Sequence, residues 1–177
     1  MIKSSTLINP PTLIDTTPDI RYLIVDSPSQ STLPLYIQVF EQWNVTQVIR
    51  CCEPTYPKEA LENIGIQVHD WTYADGDHPP GHLVSDWLQL IRQIRREAKD
   101  KRDAGSVNTI PCIATHCVAG LGRAPVLVAI ALIEDGMSAF DSVELIRQRR
   151  RGAINTKQLQ YLESYKRQQE AGTCRIC

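Results

Sequence analysis

Residues 110–135, IPCIATHCVAGLGRAPVLVAIALIED, constrain the fold more than any other stretch of the chain. The opening residues, IPCIAT, have the length and composition of a short buried strand. From Arg123 onward the chain is apolar nearly all round, a pattern that suits a helix covered on every side. A buried strand feeding a buried helix needs neighbours: further strands beside it and other elements over the helix. The rest of the chain supplies them. RYLIVDSP (21–28), VTQVIRCC (45–52) and IQVHDW (66–71) read as strands, with an earlier one near residues 11–15. STLPLYIQVFEQW (31–43) reads as a helix, with Ser31 or Thr32 as cap and Pro34 in its first turn. PKEALENIG (57–65) reads as a short helix closed by glycine. Val84, Trp87, Leu88, Ile91 and Ile94 recur at helical spacing from residue 81, and the charged run 97–108 reads as a solvent loop. Ser138 with Asp141, and Asn155 with Gln158, resemble capping boxes for helices over 138–151 and 155–170. The expected fold is α/β: a single domain with a largely parallel central sheet flanked by helices and a helical C-terminal part.

With 177 residues the chain suits one domain with a real core. A net charge of −1 gives global charge no role in drawing it to nucleic acid or to membranes. No apolar run reaches the ~18 residues of a transmembrane helix. The N-terminus lacks a signal-peptide core, so a cytosolic protein is expected. In that reducing setting the six cysteines, at 51, 52, 112, 117, 174 and 177, do not form a structural disulfide framework. The one C-x-x-C, Cys174 to Cys177, has no second pair at zinc-site spacing, and no metal or cofactor is implied.

The segment joining strand and helix, HCVAGLGRAP, carries the chemistry. Gly120 and Gly122 permit backbone conformations closed to other residues. A loop of this kind can turn several N–H groups inward beside a helix N-terminus, which makes an anion site. Such a site favours the thiolate of Cys117 and holds phosphoryl oxygens while the sulfur attacks. Arg123 adds a planar fork that fits two phosphate oxygens. A buried cysteine before a buried helix would explain Cys117 alone; it would not explain Arg123 or the glycines. His116 either hydrogen-bonds toward the thiolate or orients the loop, and supporting the site from behind is the reading favoured here. Phosphoryl transfer also needs a proton donor for the leaving oxygen. DWTYADGDHPP (70–80) offers Asp70, Asp75 and Asp77, among which the chemistry alone does not choose.

HCVAGLGRAPVLVAIALIEDGM closely resembles the signature of the phosphatases of regenerating liver (PRL), a branch of the cysteine-dependent protein tyrosine phosphatases. VTQVIRCCEPTY, GIQVHDW, VSDWLQLI and IRQRRRGAINTKQLQYLESY resemble PRL segments in the same order, so the likeness runs from about Thr12 to Tyr165. It implies a phosphatase of the dual-specificity structural type, acting on phosphotyrosine, and on phosphoserine or phosphothreonine, through a phosphocysteine intermediate. Cys117 matches the nucleophile and Arg123 the phosphate-binding arginine, with Val118, Ala119, Gly120, Leu121 and Gly122 forming the substrate loop. The family's Trp-Pro-Phe-Asp-Asp-Gly falls on residues 71–76, which makes Asp75 the general acid; Ala74 and Thr72 depart from the pattern. Cys52 matches a cysteine that pairs reversibly with the nucleophile, with Cys51 beside it as a competitor. A resolving thiol protects an exposed thiolate from irreversible oxidation. Ala124 stands where the wider superfamily has a hydroxyl that helps expel the thiolate, as in PRLs, so slow turnover is expected. The uncharged loop argues against phosphoinositide specialisation.

The resemblance also bears on partners and place. PRLs bind CNNM-type magnesium transporters through this loop, which makes a phosphorylation- and redox-gated binding module the alternative function; PRLs also form homotrimers. Residues 1–170 are read as the phosphatase domain and 171–177 as a tail. Cys174 falls where PRLs are prenylated, although Arg175 and Cys177 are unusual in such a box. A single lipid needs a second signal for stable anchoring at the cytoplasmic face of a membrane. Arg147, Arg149, Arg150 and Arg151 offer one, against their default reading as a solvated helix end.

Overall fold

The computed structural model describes residue 7, residues 9–105 and residues 109–168. Five strands form one sheet in the order β1-β2-β5-β3-β4. They are β1 (Thr12–Ile14), β2 (Arg21–Val25), β3 (Val45–Arg50), β4 (Gln67–Asp70) and β5 (Cys112–His116). Only β1 runs antiparallel, on the edge; β5 lies in the middle, parallel to β2 and β3. All five β5 residues are buried. The sheet is thus mixed but mostly parallel, as the alternation of strands and helices predicts.

Helices cover both faces. Leu33, Tyr36 and Phe40 of α1 (Leu33–Gln42) and Leu61 of α2 (Glu59–Glu62) share one core with Leu23, Val48 and Ala114. The opposite core takes α3 (Gly81–Asp103), α4 (Arg123–Glu134), α5 (Ala139–Arg149) and α6 (Thr156–Ser164). Every α4 residue from Arg123 to Ile133 is buried, which accounts for its all-round apolar sequence.

Four expectations change. Residues 97–103 are helix, not loop: EAKDKRD contains no helix breaker, and Lys101 and Arg102 suit the negative end of the helix dipole. The turn comes at Gly105, at φ 75°. Helix α6 stops at Ser164 rather than near residue 170. There Tyr165 turns extended and donates to Glu134 Oε1 at 2.7 Å, while Arg167 donates to the Glu134 carbonyl at 2.8 Å, fastening this segment to the end of α4. Thr32 occupies the cap position of α1, but its hydroxyl accepts from the Ser29 N–H at 2.9 Å and does not cap the helix. The Asn155–Gln158 capping box is complete. At Ser138 only the forward half exists, the Asp141 N–H donating to its hydroxyl at 3.0 Å.

Candidate active site

Cys117 follows the last residue of β5 and is 3% exposed. The loop from it to Arg123 is held from outside by its own carbonyls. The Val118 carbonyl accepts from the Ser27 N–H at 2.9 Å, and that of Leu121 from the Ile154 N–H at 2.7 Å. Arg150 takes the two between: Nη2 donates to Ala119 O at 3.0 Å and Nε to Gly120 O at 2.6 Å. In a trans peptide the N–H points opposite to the C=O, and the described residues contain no cis peptide. Four carbonyls tied outward therefore turn four consecutive N–H groups, those of residues 119 to 122, to the other side. Four N–H groups turned to one side are what an anion nest of the kind expected from the glycines requires.

The glycine requirement is specific. Gly120 has φ 64°, and a Cβ there would lie 2.4 Å from the Val25 carbonyl oxygen and 2.6 Å from Arg150 Nη2. Ile154, which secures Leu121, also has φ 63°. A β-branched residue in that region is strained, and such strain persists where packing over-determines it; Ile154 is 2% exposed.

Arg123 opens α4 with its guanidinium buried, 6% exposed. Nη1 donates to Tyr73 O at 3.1 Å, and the Tyr73 hydroxyl donates back to Arg123 O at 2.7 Å. Asp75 Oδ1 lies 3.2 Å from Arg123 Nε. That contact is an ion pair off the line of the N–H, so the Nε hydrogen has no acceptor among the described residues. A buried guanidinium N–H left open beside four inward N–H groups suits a tetrahedral oxyanion.

The three candidate acids separate. Asp70 accepts a bidentate bond from Arg50, with Nη2 to Oδ2 at 2.8 Å, and that guanidinium holds its carboxyl below the ordinary range. Asp77 is lowered by the His78 N–H and then by Lys157, whose Nζ is 3.0 Å away. Both stay ionised, and each has its cationic partner on another residue than Arg123. Asp75 alone reaches the arginine, and its side chain is 81% exposed. Thr72, in place of the expected proline, donates from its hydroxyl to the Cys52 carbonyl at 3.2 Å and so anchors the start of this loop.

His116 lies behind the loop, fully buried, with Nε2 2.9 Å from the Tyr56 hydroxyl. Burial drives its pKa down to about 4, so the ring is neutral at physiological pH. It brings no positive charge to the thiol, which favours orientation of the loop over charge stabilisation. Tyr56 in turn receives Arg50: Nη1 donates to its carbonyl at 2.7 Å and the guanidinium lies 5.0 Å from its ring centre.

Cys51, Cys52 and Cys117 share one core cluster. The Cys51 N–H continues the β3–β5 pairing by donating to His116 O at 2.8 Å. Burial raises both the Cys51 and the Cys52 thiols, Cys51 most strongly. Val118 and Leu121 stand at the rim, 63% and 38% exposed, and give the mouth an apolar border. Cys174 lies outside the described residues. Among those residues no helix is long and apolar enough to cross a membrane. A cavity of about 740 Å³ lies elsewhere, against Arg95, Glu134 and Asp135; Arg95 pairs there with Asp135 at 2.7 Å.

Within the arginine run, Arg150 is the correction. Arg150 is buried beneath the loop, Arg147 donates to the Ala153 and Ile154 carbonyls, and Arg149 bonds Leu13 O and Asp15. Only Arg150 leaves the surface; Arg147, Arg149 and Arg151 stay exposed, as a solvated helix end expects, although Arg147 and Arg149 are also tied to neighbouring groups. Arg150, Ile154 and Ser27 escaped the sequence reading. No local pattern marks them, because their partners lie about 30 residues or more back along the chain or, for Ser27, far ahead.

The protein-tyrosine phosphatase family model matches residues 21–168. The mouse protein tyrosine phosphatase type IVA 3 is 52% identical over 149 residues, 84% of this chain and 80% of that one. The PRL-1 phosphatase of Drosophila melanogaster is 48% identical over 146 residues, 82% of this chain and 77% of that one. A solved Leishmania major chain assigned as a protein tyrosine phosphatase superposes with a TM-score of 0.78 at 40% identity, covering 89% of this chain and 99% of its own. The chain belongs to the protein tyrosine phosphatase family, within its PRL (type IVA) branch.

Proposed function

We propose that this cysteine-dependent protein tyrosine phosphatase works through the residues gathered around the 117–123 loop. The supporting observation is the outward fixing of four successive loop carbonyls, which leaves the opposite N–H groups and Arg123 Nε for phosphoryl oxygens. Cys117 Sγ attacks the phosphorus of a phosphorylated protein side chain. The P–O bond to the leaving group breaks, and Asp75 delivers the proton that the departing oxygen needs. Water then cleaves the S–P bond and returns the cysteine. Residue 124 is a fully buried alanine with no hydroxyl to assist that departure, so the second step is slow. Residues 118–122 cradle the phosphate, and His116 orients the loop.

A second reading has its own support. The Asp75–Arg123 contact is a carboxylate seated at the phosphate-binding arginine. An acidic side chain of a partner would find the same welcome, as the PRL resemblance implies for CNNM-type magnesium transporters. Cys52 is proposed as the resolving thiol for Cys117, with Cys51, the more strongly protonated of the pair, the weaker competitor. Prenylation of Cys174 in the 171–177 tail, membrane attachment through it, a phosphatase domain over residues 1–170 and assembly into trimers complete the proposal.

Intact-protein mass spectrometry of the reduced protein and of Ala124→Ser, sampled after mixing with a small aryl phosphate, tests it. A long-lived phosphate adduct on the unaltered protein, short-lived on Ala124→Ser and absent on Cys117→Ser, is expected. Rapid phosphate release without an adduct would overturn slow hydrolysis. Neither adduct nor release would leave only the acidic-partner reading, for which Asp75→Ala retains partner binding while catalysis falls.

A further inference from the structure

The carboxyl of Asp75 is mostly exposed, and apart from Arg123 its own Gly76 N–H is what holds it, at 3.1 Å. Its position is therefore set by the backbone on either side. On the C-terminal side that backbone rests on the first turns of α6. Asn155 Nδ2 donates to Gly76 O at 2.9 Å, and Gln158 Nε2 donates to Asp77 O at 2.9 Å. Lys157 pairs with the Asp77 carboxylate, and His78 stacks on Tyr161 at 4.0 Å, the rings nearly parallel.

Gln158 stands apart among these contacts. It is fully buried, whereas the Lys157–Asp77 pair is exposed and worth little. Its Oε1 accepts from the Asn155 N–H at 3.0 Å, which completes the capping box. That task needs only an acceptor, and glutamate performs it equally well. The amide nitrogen is additional, and it is spent on the acid loop. The same nitrogen lies 3.2 Å from where a Gly122 Cβ would be, so the side chain that holds the acid loop also lies alongside the phosphate loop.

We propose that Gln158 is a positioning residue for proton donation: through the Asp77 carbonyl it fixes the acid loop so that Asp75 is held at Arg123. This rests on the reading of Asp75 as the proton donor. A donor held in register matters in proportion to the help the leaving oxygen needs. Gln158→Glu separates this role from capping, since it keeps the acceptor and loses the amide donor.

The test is the rate of phosphocysteine formation at pH 7, read by quenched-flow intact mass, with phenyl phosphate and with 2,4-dinitrophenyl phosphate. Phenol is a poor leaving group and dinitrophenol a good one. Gln158→Glu is expected to slow the phenyl reaction about tenfold, the worth of one buried hydrogen bond, and the dinitrophenyl reaction less than about twofold. In an Asp75→Ala background it should slow neither further. Equal slowing of both substrates, or an undiminished effect without Asp75, would overturn the proposal. If Asp75→Ala alone showed no leaving-group dependence, the proton-donor reading would fall, and the clamp with it. Should Gln158→Glu not fold, Asn155→Asp keeps the cap to the Gln158 N–H and loses the bond to Gly76 O; about threefold slowing of the phenyl reaction alone is expected, and unselective slowing would sink the idea.

Discussion

Asp75 Oδ1 lies 3.2 Å from Arg123 Nε, so the exposed acid of one loop leans on the buried cation of another. An oxyanion entering the phosphate loop must displace or share that carboxylate. Asp75→Ala should therefore bind vanadate more tightly, by about twofold to fivefold, the range an exposed ion pair allows. Calorimetric titration measures it, and unchanged affinity would mean that the pair does not resist anion entry.

Arg150 reaches two carbonyls with one planar fork, Gly120 O at 2.6 Å and Ala119 O at 3.0 Å. An ammonium is a point donor on a flexible stem and does not reproduce the fork. Arg150→Lys should slow adduct formation about a hundredfold, as the loss of an aligned oxyanion donor does. Stability should fall by about 2 kcal/mol. Urea unfolding and the adduct rate together check this; near-native chemistry would show that the loop holds its shape without Arg150.

At Gly120 a methyl group would meet the Val25 carbonyl at 2.4 Å, on a backbone already at φ 64°. Gly120→Ala should cost about 3 kcal/mol, from the overlap and the left-handed conformation combined. Gly105→Ala is the comparison: its φ is also positive, at 75°, but among the described residues nothing lies within 4 Å. Its cost should be limited to about 1 kcal/mol. Similar melting temperatures for the two variants would refute the crowding argument.

Burial lowers the His116 pKa from 6.5 to about 4. The unfolded chain therefore binds a proton on this histidine at pH values where the folded one does not. Its stabilising contribution is complete above pH 6.5 and declines as pH falls toward 4. Between pH 7 and pH 5 the loss from this group is about 2 kcal/mol. His116→Gln should flatten that part of the stability curve in urea titrations, and an unchanged slope would exclude His116 as its source.

The strand–loop–helix around Cys117 was legible because it is local: an apolar strand, two glycines and an all-apolar helix leave few arrangements. The Asn155–Gln158 box was legible for the same reason. Asp75 was not separable from Asp70 and Asp77 by chemistry alone, because their partners Arg50, Arg123 and Lys157 sit on other elements. The added turns of α3 were missed since a charged run lacks apolar periodicity, although its residues favour helix. RQRRR reads as solvated, and only the fold supplies the carbonyls that bury Arg150.

Arg150 and Ile154 also set an order of events during synthesis. A ribosome completes the thiol, the glycines and Arg123 well before it delivers the side chain that holds Gly120, 30 residues later, or the N–H that holds Leu121. A nascent chain that ends before this junction carries the whole signature and the Ser27 bond to Val118, yet lacks the bonds that hold Ala119, Gly120 and Leu121. The phosphate loop therefore takes its final shape only once the chain has passed Ile154, so the site is completed from its far end rather than from its own signature.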